Sequence, residues 1–221
     1  MKKSVLGSVL RVIAIVVVSL AAAMTLLGGI GTSCVAFFAE KFGESMGKLI
    51  PVKPIFQVLV VVSIAAAVYG IIWTIRLAKG RSGSIRAVLI FLLVGGIASG
   101  IQYYYSLTLR GSTAPNNMRL YLTLLALAVM LLLLLPGLRE KVNFERGTAG
   151  GGTASAGGAA LLVCGLVILT TPAWAEPTHL INGANTANEL FWPLILGGLA
   201  CILCGIGLLA RARSSQMAVL Q

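Results

Sequence analysis

Uncharged apolar runs of about the length of a bilayer crossing recur along this chain, and very few folds can accommodate them. They cover residues 12–33, 55–77, 87–107, 120–138 and 190–210, with a shorter run at 159–175; Arg76, next to the end of its run, is the sole charge among them. A hydrocarbon core about 30 Å thick is crossed by about 20 helical residues. Within it, every backbone N–H and C=O must be paired inside the segment, which leaves helices and closed barrels. Runs of this length without period-two alternation select helices. The charged fraction agrees: 10% of residues are charged, against about 25% in a soluble domain. The expected fold is therefore an all-α integral membrane protein, a polytopic bundle of six spans.

The formal net charge of +11 would ordinarily raise nucleic acid as a partner, but the cations fall into a different pattern. With the N-terminus cytoplasmic, twelve lie on the inner side: Lys2, Lys3, Arg11, Arg76, Lys79, Arg81, Arg86, Arg139, Lys141, Arg146, Arg211 and Arg213. Five lie on the outer side: Lys41, Lys48, Lys53, Arg110 and Arg119. An excess of Lys and Arg in short cytoplasmic connections sets orientation. The expected setting is thus a plasma (inner) membrane, prokaryotic from the compact loops, with both termini cytoplasmic. The lipid bilayer is the partner, and nucleic acid is not.

Composition divides the chain once. Residues 147–158 are almost entirely Gly, Ala, Ser and Thr, which reads as a flexible linker. The expected units are a four-span domain over 1–140, a linker over 141–158 and a two-span segment over 159–221. The fifth run carries a second reading. Arg146, a short apolar stretch, Pro172 and then Ala173-Trp174-Ala175 before Glu176 have the layout of a signal-peptide cleavage site. Cleavage after Ala175 would release a single-span surface peptide; the alternative is a short fifth span.

Helices in lipid approach closely where small residues line a face. Gly29 and Ser33, Gly96 and Gly100, and Gly197, Cys201 and Gly205 repeat at four-residue spacing and are the expected packing positions, with Ala200 and Cys204 beside the last set. The stretches 26–32 and 93–99 (LLGGIGT and LVGGIAS) suggest that spans one and two repeat as spans three and four.

Chemistry is sparse. No ionisable side chain is expected at mid-membrane: Arg11, Arg76, Arg86 and Arg119 stand at span ends, where arginine can reach the interface. Coupled transporters, voltage sensors and intramembrane proteases rely on such groups. No nucleotide loop, metal set or nucleophile constellation occurs; one His, His179, cannot build a metal site alone, and Cys201-x-x-Cys204 within a span reads as packing. No catalytic residue, cofactor or metal is assigned.

The richest polar region lies at the outer ends of the first four spans: Gln57, Gln102, Tyr104, Arg110, Asn117 and Arg119 form a candidate outer polar cluster. It reads either as an interfacial belt or as a vestibule for a headgroup, small molecule or partner. The leading expectation is a non-catalytic accessory, assembly or scaffolding subunit that meets a membrane-protein partner or a second copy. A small-molecule or lipid facilitator using the polar cluster, and the cleaved precursor, are the alternatives.

Overall fold

The computed structural model describes residues 5–114, 116–142, 144, 151–175, 180–181, 184–185 and 190–217. The chain is an all-α polytopic bundle in which, among the described residues, six helices are long and apolar enough to cross a membrane. The elements are α1 (Val5–Phe38), α2 (Gly43–Gly47), α3 (Lys53–Ala78), α4 (Ser84–Arg110), α5 (Asn116–Leu133), α6 (Pro136–Val142), α7 (Gly151–Ala175) and α8 (Phe191–Met217). Two-residue strands at Leu180–Ile181 and Ala184–Asn185 pair antiparallel between α7 and α8.

The turns follow from where glycine stands. The α3 helix closes in a Schellman motif: Gly80 at φ +68° donates to Leu77 O, and Arg81 donates to Arg76 O, both at 3.0 Å. Gly83 at φ +73° leads into α4, and Gly111 at φ +69° ends it by donating to Leu107 O at 3.0 Å. Five residues, 79–83, therefore join α3 to α4, with glycine at the two left-handed positions of the turn.

The α1 helix is the hub. It packs against α3, α5 and α7, while α3–α4, α4–α5 and α7–α8 pair as antiparallel neighbours. Its Ala14, Ile15, Val18, Ala21 and Ala22 meet Val88, Phe91 and Leu92 of α4 and Ala126, Met130 and Leu133 of α5 in one apolar core. A smaller core joins Ala36 to Leu49, Phe56 and Val60. With 34 residues, α1 is about 51 Å long at 1.5 Å per residue, so it overshoots the hydrocarbon layer.

Between α1 and α3, 3-10 turns at Ala39–Lys41 and Ile50–Val52 flank the short α2. Two expectations change. The fourth span stops at Leu133 rather than 138, because the Pro136 ring removes a donor and crowds the preceding turn; the chain restarts as α6 at Pro136. Most notably, 151–158 is not a linker but the first two turns of α7. Ala156 and Ala160 are buried in the core that α1 organises, so packing overrides the poor intrinsic helicity of glycine.

The α7–α8 pair is zipped by glycine. A Cβ on Gly158 would lie 2.8 Å from Gly205 O, and one on Gly205 would lie 2.9 Å from Gly158 O. Seven residues along, a Cβ on Gly165 would lie 2.8 Å from Gly198 O, and one on Gly198 would lie 3.0 Å from Gly165 O. The expected stripe on α8 therefore splits. Gly205 is in the seam, Gly198 takes the place foreseen for Gly197, and nothing lies within 4 Å of a Cβ on Gly197. On α1, Gly29 faces Ile64 and Ser63 of α3; on α4, Gly96 faces Thr123 of α5, whereas a Cβ on Gly100 meets nothing within 4 Å. Ser33 donates to Gly29 O at 2.9 Å. Gly29 and Gly96, equivalent in the suggested repeat, thus each face the next long helix in the chain.

A polar interior at the α4–α5 seam as the candidate functional site

On α5 the buried residues are Asn116, Arg119, Thr123, Ala126, Met130 and Leu133, spaced alternately three and four apart. That is a single helix face. Its C-terminal half is apolar and its N-terminal half polar. The facing side of α4 has the same gradient: Val88, Phe91, Leu92 and Gly95 give way to Ser99, Gln102 and Ser106, all buried. Antiparallel pairing brings the two polar halves together.

Arg119 is the centre of this region and overturns an expectation. It does not reach out to the membrane interface but turns into the bundle, with 2% of its surface exposed. Its Nε donates to Ser99 Oγ at 2.8 Å, and Ser99 Oγ in turn donates to Gly95 O at 2.6 Å. The Arg119 backbone carbonyl accepts from Thr123 Oγ1 at 2.8 Å. On α1, Gly28 makes room for the side chain: a Cβ there would fall 2.8 Å from Arg119 Cδ and 3.3 Å from Nη1. One turn of α4 beyond Ser99 is Gln102, fully buried; a turn further on, Ser106 Oγ accepts from Asn116 Nδ2 at 3.1 Å. Nη1 and Nη2 of Arg119 and both polar atoms of the Gln102 amide are buried without a hydrogen-bond partner.

The other members of the expected outer cluster are elsewhere. Gln57 donates to Ala36 O at 3.2 Å, tying α3 to the end of α1. Tyr104 is 61% exposed and meets the Tyr105 ring edge-on, as an interfacial belt residue would. Arg110 reaches Ser45 Oγ at 3.4 Å and Ala114 O at 3.3 Å, and Asn117 Oδ1 accepts from Met118 N at 2.9 Å. Of the six residues, only Gln102 and Arg119 share an interior, and Ser99, Ser106, Asn116, Thr123 and Gly28 complete it. The helical phase of 116, 119 and 123 with 126, 130 and 133 was the signal that could have found it.

Arg11 is also buried, at 4% exposure, rather than directed outward. Its Nη2 donates to Ala78 O, the last carbonyl of α3, at 3.1 Å, and its guanidinium lies 6.0 Å from the Phe144 ring centroid. A cation there satisfies a helix C-terminus. Among the proposed packing cysteines, Cys201 is partly buried and Cys204 exposed, and both are free thiols. No group of three or more metal-binding side chains occurs among the described residues. Ala173 is exposed on the last turn of α7, which ends at Ala175; Glu176 and His179 lie outside the described residues.

These features define a multi-pass α-helical membrane protein with a polar, arginine-centred interior. Compared with known protein families, with curated proteins and with solved structures, the chain matches none.

Proposed function

We propose that this chain is a non-catalytic accessory or assembly subunit of a membrane complex, and that α8 presents its docking face. The observation that carries this reading is a second small-residue stripe. Gly197, Ala200, Cys204 and Gly207 recur three or four apart on α8. Ala200 and Cys204 are exposed, and nothing lies within 4 Å of a Cβ on Gly197 or Gly207. This stripe is offset from the Gly198–Gly205 seam that α7 occupies. Only 11% of the apolar window of α8 is buried, against 33–44% for the first four spans.

A lipid-facing surface is served by Leu, Ile and Val; a line of small residues is what lets another helix backbone approach closely. The partner is accordingly a transmembrane helix, of another protein or of a second copy. The cation asymmetry supports both termini being cytoplasmic, and the compact loops support a prokaryotic plasma membrane as the setting.

Cys204 is a built-in reporter. In native membranes, with Cys34 changed to Ser, a short thiol-reactive crosslinker is expected to join Cys204 to one discrete partner band or dimer. Ala200→Leu or Gly207→Leu is expected to abolish that product without lowering thermal stability. A chain that purifies as a monomer without a companion, and whose crosslinking is indifferent to those substitutions, overturns the reading.

A further inference from the structure

We propose that Arg119 and Gln102 form an occluded site for one small monovalent anion of the chloride class, enclosed by α1, α4 and α5. The reasoning starts from charge. Arginine stays protonated in proteins, and a buried charge is retained when it is paired. This chain has six acidic residues, all Glu and none Asp. Of those described, Glu40 is committed to Lys53 at 2.8 Å, Glu44 is exposed on α2, and Glu140 is on α6, beyond the opposite end of α5. None reaches the guanidinium.

The donors fit an anion. Nε is held by Ser99, which fixes the plane of the guanidinium and leaves the Nη1 and Nη2 hydrogens as the free edge. Gln102 adds an unpartnered amide donor on the adjoining turn of α4. Arg119 also belongs to the first turn of α5, where the helix dipole adds positive potential. Arg119, Gln102, Ser99, Ser106 and Thr123 are each at most 2% exposed. Such closure favours a compact ion over a metabolite, and Gly28 preserves the space in which the guanidinium sits.

The test is thermal unfolding of the full chain in detergent, at constant ionic strength, as sodium gluconate is replaced by sodium chloride. Wild type is expected to show a saturable rise in Tm of about 5 °C or more, the size that tight single-site binding gives a chain of this length. Bromide should reproduce the rise. Arg119→Gln should abolish it, and Gln102→Leu should shift its midpoint to at least tenfold higher chloride. Should Arg119→Gln not fold, the wild-type anion dependence and the Gln102→Leu shift still decide. A Tm indifferent to the anion, as an unseen carboxylate partner would produce, overturns the proposal. So does an equal chloride response in wild type and both variants, or stabilisation by anionic phospholipid alone with no chloride effect.

Discussion

Substituting alanine at Gly205 tests whether the α7–α8 seam is set by backbone contact. A methyl there would lie 2.9 Å from Gly158 O and 3.1 Å from Leu162 N. Ordinary van der Waals contact begins near 3.4 Å, so the helices must part by about 0.5 Å. Both obstacles are backbone atoms, which have no rotamer by which to yield. A radial gap of that size forfeits about a quarter of the dispersion well for each facing pair, and overpacking of this kind costs about 1–3 kcal/mol. Against it stands the better helix propensity of alanine, about 1 kcal/mol.

The net expectation is a loss of about 0–2 kcal/mol, centred on about 1 kcal/mol, or a fall in Tm of about 3 °C for a chain of this size. Gly165→Ala should behave alike, since its Cβ would lie 2.8 Å from Gly198 O and 3.1 Å from Ile202 N. The internal control is Gly207→Ala on the same helix, where nothing lies within 4 Å. It should leave stability unchanged or raise it by up to about 1 kcal/mol. Thermal unfolding of the three variants in one detergent reads the contrast directly. Gly205→Ala and Gly165→Ala proteins that unfold at or above the Gly207→Ala temperature would refute the close seam.

The same physics applies elsewhere in the bundle. Gly70→Ala would place a methyl 2.7 Å from the Phe91 ring, itself buried in the main core, and should lower stability by about 1–3 kcal/mol, read as a fall in Tm. Asn116→Ala removes the partner of Ser106 Oγ at the α4–α5 seam. Leaving a buried polar group less satisfied costs about 1–3 kcal/mol, and hydrogen exchange should show earlier opening at the Gly111 end of both helices than at their apolar ends. Exchange that stays uniform along α4 and α5 would count against a weaker polar half.

The spans were legible because run length and the absence of charge are strong signals in lipid, where backbone pairing leaves no other choice. The break before Pro136 is legible too, since it follows from ring geometry alone. The start of α7 was hidden for a physical reason. Residues 151–158 carry the composition of a linker, and their helix depends on partners distant in sequence: the core around Ala156, and Gly205 across the seam. On α8 a four-residue rule selected Gly197, Cys201 and Gly205, whereas the antiparallel seam repeats every seven residues and selects Gly198 and Gly205. Spacing named the right kind of contact but not its phase.

Arg119 belongs to the expected outer cluster, but its burial depends on rotation about the helix, which distance from a span end does not carry. Its contrast with Arg11 shows why rotation matters. Both arginines are buried, yet they stand at opposite kinds of helix end. Arg11 meets the final carbonyl of α3, where the backbone leaves negative partial charge, so its position supports the fold. Arg119 is in the first turn of α5, where the backbone is already positive, and it meets one hydroxyl. Packing does not require a cation there, since on the same face Ala126, Met130 and Leu133 fill the seam with apolar side chains. Hydrophobic residues of similar size commonly replace buried charges without loss of stability. An arginine held in that position, with glycine opposite it on α1, is therefore explained by what its free edge binds rather than by what its burial contributes to the fold.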